Sequence, residues 1–257
     1  AVRSLSAWLG EEGVPGISGI DTRALTRILR EKGTVPGKIV PVEGGQDLSD
    51  IPFEDPNLRN LAAEVSVSEP VLYPRGPRRI VLVDCGAKNN IVRSFLKRDI
   101  TVFRVPWDHH FDREDADGFL LSNGPGDPKM CVETIERTRR LLAGDRPVLG
   151  ICLGSQIMAL AAGADTYKLR YGHRSQNQPC LESGTRRCRI TSQNHGYAVD
   201  TLTLPQDWRE WFVNSNDGTS EGLVHISKPF FGVQFHPEAA PGPDDTDFIF
   251  DMFVRAL

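Results

Sequence analysis

The chain has 257 residues, 39% hydrophobic and 25% charged, with a formal net charge of -4. That is the make-up of a soluble globular protein, with room for one large domain or for a domain plus a smaller partner. So mild a charge gives no reason to expect a nucleic acid or a membrane surface as partner, and no apolar run nears the ~20 residues that span a bilayer.

The first residues, AVRSLSAWLGEEG, lack the charged start, long apolar stretch and cleavage site of a signal peptide. A helix is expected over 22–31, capped by Asp21, with Leu25, Ile28 and Leu29 on one face. Residues 40–56 are rich in Pro, Gly and Asp and read as loop. This stretch has too few apolar residues for a core of its own, so residues 1–75 are expected to be a smaller, incomplete N-terminal domain. The segment VLYPRGPRR at 71–79 reads as a linker.

From residue 76 onward the pattern is regular. Apolar runs predict strands over 80–84, 101–105, 118–122 and 147–151, and helices are expected over 89–97, 133–142 and 155–162. Further strands are expected over 188–192, 211–214 and 230–235, and a last helix over 245–254. This alternation predicts an α/β fold: a mostly parallel open sheet with helices on both faces, filling residues 76–257.

The five cysteines, Cys85, Cys131, Cys152, Cys180 and Cys188, show no C-x-x-C spacing, so neither a disulfide framework nor a zinc ribbon is indicated. The six histidines include no pair at helical spacing, so no metal site is expected. Cys152 stands apart. In Val148-Leu-Gly-Ile-Cys152-Leu-Gly154 it lies between two glycines, with an apolar strand leading in and a helix leading out. That is the pattern of a nucleophile elbow, whose tight turn excludes flanking side chains and whose helix N-terminus favours thiolate. The backbone N–H of Leu153 would then point where an oxyanion forms. Taken alone, such a cysteine is as readily a buried residue at the end of a core strand. Cys85 lacks the second glycine and reads as structural.

In Phe235-His236-Pro237-Glu238 a histidine precedes a glutamate by two positions. The imidazole can take a thiol proton on one nitrogen while the carboxylate holds the other. By itself His236 is as readily a surface histidine in a polar loop. Ser122-Asn-Gly124-Pro-Gly126-Asp-Pro128 follows another apolar strand, and its glycines allow close backbone approach to a ligand. No G-K-[ST] follows, so it is not a nucleotide P-loop.

With SNGPGDP at 122–128, GICLG at 150–154 and FHPE at 235–238 in that order, the chain resembles the class I glutamine amidotransferases. GIDTRALTRILREKG at 19–33, TSQNHGYAV at 191–199 and HPEAAPGPDDT at 236–246 resemble the glutaminase part of carbamoyl phosphate synthetase in particular. The resemblance implies a glutaminase of L-glutamine with Cys152 as nucleophile, His236 as base and Glu238 as its orienter. Gly126 and Leu153 would form the oxyanion hole, and Gln156, Asn194, Gly196 and Tyr197 would bind substrate, with Gly124 also lining the site. It implies no cofactor in this chain: ATP and magnesium would belong to the partner, a carbamoyl phosphate synthetase large subunit or fused synthetase domain. The expected location is cytoplasmic, with the mitochondrial matrix as the alternative.

Three departures stand out. Ser155 replaces a common histidine at a position expected to face away from the chemistry. Ser175 replaces glycine in an expected surface loop. The family carries roughly a hundred residues more before the IDTR segment, including a serine that helps bind glutamine, in line with the incomplete core. Two other functions compete. One is a non-catalytic scaffolding or regulatory domain of the same synthetase. The other is a glutaminase serving a synthetase of GMP or anthranilate, against which the IDTR and PGPDDT segments speak.

Overall fold

A computed structural model describes residues 2–40 and 52–257, and the chain divides into two compact units, Ala1–Asp55 and Pro56–Leu257. The first holds α1 (Leu5–Glu11) and α2 (Thr22–Lys32). Ser4 caps α1 by accepting the Ala7 N–H at 3.2 Å, and Asp21 caps α2 by accepting the Ala24 N–H at 2.9 Å. Leu25, Ile28 and Leu29 lie along α2 as expected, yet all three remain exposed. The loop expected over 40–56 falls mostly outside the described residues.

The second unit begins with α3 (Leu61–Val65) and β1 (Val71–Tyr73), followed by β2 (Arg78–Asp84), α4 (Asn89–Leu96), β3 (Ile100–Pro106) and β4 (Gly118–Leu121). Then come α5 (Val132–Leu142), β5 (Val148–Ile151), α6 (Leu153–Ala162), β6 (Asp165–Glu182) and β7 (Cys188–Asp200). The chain closes with β8 (Trp208–Asn214), β9 (Ser220–His225), β10 (Phe230–Val233) and α7 (Phe248–Ala256). The sheet order is β1-β3-β2-β4-β5-β10-β9-β8-β6-β7. The block β3-β2-β4-β5-β10 is parallel throughout. A lone β1 on one side and the β9-β8-β6-β7 wing on the other are antiparallel.

Strand alternation divides the core between the two faces. Ile80 and Leu82 of β2 pack with Ile91 and Phe95 of α4 and with Phe250 and Phe253 of α7. Val81 and Val83 face the other way, toward Leu141 of α5 and Ile157 and Met158 of α6. Phe95 meets the Phe250 and Phe253 rings edge-on at 5.3 and 5.8 Å. Helices thus cover both faces of the parallel block, which explains why its strands read as unbroken apolar runs.

The structure corrects several local expectations. The segment read as a linker over 71–79 is β1 and the start of β2. Val71–Tyr73 pairs with β3, and Ala62 is fully buried, so residues 56–75 belong with the second unit. The strand expected over 188–192 runs on to Asp200, and its partner β6 was not foreseen. β6 is largely polar and exposed, and its register against β7 shifts between Ser175 and Gln178. Ser175 therefore lies at a bulge in a long strand, not in a surface loop. Ser155 is 1% exposed, with its Oγ against Gly232, away from the cavity that holds Cys152.

A Cβ on Gly154 would stand 2.1 Å from the Leu121 carbonyl oxygen, which is backbone and cannot yield. Gly154→Ala is expected to cost at least about 2 kcal/mol of unfolding free energy. Gly144→Ala, whose added Cβ meets its nearest atom at an ordinary 3.4 Å, should be close to neutral. Urea unfolding of the two variants beside the parent checks both.

Candidate active site

The loops that follow β2, β4, β5 and β10 leave the carboxyl ends of adjacent parallel strands, the position at which open α/β sheets bind ligands. β5 delivers Cys152 with φ 51° and ψ -106°, a conformation that costs a non-glycine residue about 1–3 kcal/mol. The surroundings enforce it. The Cys152 N–H donates to the Val233 carbonyl at 2.8 Å, and the Cys152 carbonyl accepts from the Ser155 and Gln156 N–H groups at 3.1 and 3.2 Å. Added Cβ atoms on Gly150 and Gly154 would meet backbone at 2.7 and 2.1 Å. Because α6 starts at Leu153, its positive end lies beneath the sulfur, and the Leu153 N–H has no acceptor within the helix.

The turn after β10 brings in the histidine. The His236 N–H donates to the Ser192 carbonyl at 2.9 Å, and the ring Nδ1 lies 2.8 Å from Glu238 Oε1. Nδ1 therefore carries the hydrogen, and Nε2, buried and without a hydrogen-bond partner, is left as the free nitrogen on the cavity side. Lys88 Nζ lies 3.3 Å from the same carboxylate oxygen and pairs with it. Burial works against a charge on His236. The Cys152 sulfur, followed by the Glu238 carboxylate, outweighs it and raises the pKa from 6.5 to about 10. Burial would likewise raise Glu238, but His236 and Lys88 hold its carboxyl below the ordinary range. Elsewhere burial prevails: it pushes the Cys85 thiol well up and the Cys131 and Cys180 thiols to about 12. Those three have no imidazolium beside them and read as structural.

Gly124 and Gly126 follow β4. A Cβ on Gly124 would stand 2.1 Å from the Cys85 carbonyl, and Gly126 has φ 92°, so both positions exclude side chains. Gln156 donates its side-chain N–H groups to the Tyr197 carbonyl and to Gln234 Oε1, each at 2.9 Å, which leaves its own oxygen free for a ligand's ammonium group. Cys152, His236, Gly124, Gly126, Gln156, Asn194, Gly196 and Tyr197 line one cavity of about 320 Å³. Glu238 is buried behind His236, and Leu153 is buried at the start of α6.

Sequence reasoning missed Lys88, Asn123, Arg174 and His195, which line the same cavity. It also missed Gln234, whose Nε2 lies 3.5 Å from the Cys152 sulfur, and Asp84. The Asp84 carboxylate accepts the Gly86, Ala87 and Val67 N–H groups at 2.8, 2.6 and 2.9 Å and pairs with Arg104 at 2.8 Å. That fixes the turn on which Lys88 sits. An aspartate closing a buried strand two residues before a glycine was the available signal.

Comparison with known proteins agrees with this geometry. Residues 81–256 match the class-I glutamine amidotransferase family, and residues 1–39 match the CPSase domain of the carbamoyl-phosphate synthase small chain. The chain is 51% identical to the multifunctional protein CAD of Squalus acanthias, over 99% of this chain and 11% of that protein. It is 50% identical to the mitochondrial carbamoyl-phosphate synthase [ammonia] of Homo sapiens, over 100% of this chain and 17% of that protein. It therefore spans less than a fifth of the length of these relatives. A crystal structure of a putative GMP synthase component from Thermoplasma acidophilum shares the fold, with a TM-score of 0.61 and 22% identity over 70% of this chain and 93% of that one. With its cysteine at the elbow and a family match over most of its length, the chain belongs to the class-I glutamine amidotransferases.

Proposed function

We propose that this chain hydrolyses L-glutamine to glutamate and ammonia through a cysteinyl thioester and passes the ammonia to a carbamoyl phosphate synthetase. The observation that carries the reading is the convergence of Cys152, His236 and the Gln156–Asn194–Tyr197 wall on one cavity. The Cys152 thiolate attacks the carboxamide carbon, and the developing oxyanion is met by the N–H groups of Leu153 and Gly126. His236, charged and held by Glu238, gives its Nε2 proton to the departing amine, and ammonia leaves. Neutral His236 then takes a proton from water as the water attacks the thioester. The second tetrahedral intermediate collapses to glutamate and thiolate, and the imidazolium is restored.

Gln156 and Asn194 hold the amino and carboxylate ends of glutamine, with Gly196, Tyr197 and Gly124 shaping the pocket. Arg174, paired with Asn194 across β6 and β7, adds positive charge near the carboxylate. The hydrolysis uses side chains and water alone, so ATP and magnesium belong to the synthetase, whether a large subunit or a fused domain. The match of residues 1–39 to the small-chain CPSase domain supports this partner over a GMP or anthranilate synthetase. No described helix is long and apolar enough to cross a membrane. We assign the work to the cytoplasm, with the mitochondrial matrix, in which the human relative is named, as the alternative.

Cys152→Ser should lower glutamate release by at least about 10,000-fold, while ammonia-dependent synthesis by the assembled synthetase continues; coupled assays with each nitrogen source read both. His236→Asn should lower kcat far more than it weakens glutamine binding. The folded pKa of His236, about 10, lies above its ordinary 6.5. The stabilisation it confers is therefore complete below pH 6.5 and is lost as pH rises through about 10. The difference in unfolding free energy between the parent and His236→Asn should shrink across that interval in urea titrations.

A further inference from the structure

A cluster within the antiparallel wing, of which His195 also borders the cavity, takes no step in the thioester chemistry. The register of β6 against β7 sets His173 opposite His195, and their rings meet edge to face with centroids 4.7 Å apart. Glu221 of β9 reaches between them, its Oε1 3.0 Å from His173 Nδ1 and 3.3 Å from His195 Nε2. Gln193 Oε1 stands 2.7 and 3.4 Å from the same two nitrogens. Glu221 is fully buried, and its Oε2 has no hydrogen-bond partner.

The cluster is short of hydrogens. His195 Nδ1 faces the Tyr197 carbonyl at 2.9 Å and so carries a hydrogen; its Nε2, a lone pair in the neutral ring, points at two oxygen acceptors. His173 Nε2 faces the Asp217 carboxylate at 2.8 Å and carries a hydrogen in the same way, while its Nδ1 points at the same two oxygens. Gln193 commits its N–H groups to Thr191 at 2.9 Å and the Cys180 sulfur at 3.2 Å, which turns its oxygen toward the cluster. The nearest donor, Asn214 Nδ2, is 3.4 Å from both His173 Nδ1 and Gln193 Oε1 and also serves Gln178 at 3.2 Å. With both rings neutral, four acceptors thus converge. Without a cation, a second proton on His173 meets part of this demand: burial opposes it, but the Glu221 and Asp217 carboxylates overcome that effect and raise the pKa to about 9. One divalent cation would meet all of it.

The geometry admits the cation. The His195 separations of 3.3 and 3.4 Å match the edges of a tetrahedron with bonds of about 2.0–2.2 Å to a zinc-type ion, and the His173 separations of 2.7 and 3.0 Å would widen by a few tenths of an ångström to meet them. Each imidazole also gives its outer N–H to a carboxylate or a carbonyl, the outer shell that fixes histidine ligands. We propose that His173, His195, Glu221 and Gln193 form a structural site for one divalent cation of the zinc class. It ties β6, β7 and β9 together directly behind Asn194, Gly196 and Tyr197.

The test uses the full chain carrying Cys152→Ser, so that the nucleophile cannot capture metal, stripped with a chelator and titrated calorimetrically with zinc. One equivalent should bind. Cobalt(II) should give the visible bands of a four-coordinate nitrogen–oxygen site without a sulfur-to-cobalt charge-transfer band. Glu221→Gln should abolish binding. Asp217→Asn keeps all four ligands and changes a half-exposed side chain, so it remains informative if Glu221→Gln fails to fold; it should weaken zinc about 10–100-fold. Absence of binding in the parent, a thiolate signature in the cobalt spectrum, or affinity unchanged in Asp217→Asn would overturn the site.

Discussion

The turn from β5 into α6 is possible only because two positions carry no side chain. Gly150 packs against the backbone of Gly154, and Gly154 packs against the backbone of Leu121 in the neighbouring strand. With α6 pressed this close to the sheet, Cys152 is left in a left-handed conformation with its sulfur at the carboxyl edge. The rest of the site depends on that placement. The helix end stabilises negative charge beneath the sulfur, and β10, paired in register with β5, brings His236 to the same edge.

Electrostatics then separates one cysteine from its companions. Cys85, Cys131, Cys152 and Cys180 are all buried. Burial alone keeps a cysteine as thiol, and it does so at three of the four. The fourth has beside it His236, whose imidazolium is held by Glu238, with Lys88 flanking both. The same burial that would silence Cys152 strengthens each of these attractions by lowering the local dielectric. Glu238, set between His236 and Lys88, thus offsets two cations that would be costly to bury without it.

Sequence and structure agree best where local chemistry dictated the outcome. The parallel strands announced themselves because both faces are covered, and the elbow did so because its glycines bracket a cysteine between strand and helix. His236 and Glu238 could be read from their spacing. The antiparallel wing was harder. β6 is polar along much of its 18 residues and interrupted by register shifts, so no alternation marked it. Arg174, His195 and the His173–Glu221 cluster come together only through the pairing of β6, β7 and β9, which sequence distance conceals. Lys88 was likewise invisible, because the buried carboxylate of Asp84 holds its turn through backbone contacts. The apolar face of α2 was foreseen, but its exposure shows that helical periodicity does not by itself supply a surface to bury.

The proposed chemistry requires Cys152 to be an activated thiolate inside an assembled glutamine pocket. It is tested most directly by peptide mass spectrometry after exposure to 6-diazo-5-oxonorleucine, an electrophile that mimics glutamine, with glutamine as competitor. The expected result is a single adduct on Cys152, suppressed by glutamine, with Cys85, Cys131 and Cys180 untouched. No adduct, or labelling spread over several cysteines and indifferent to glutamine, would contradict it.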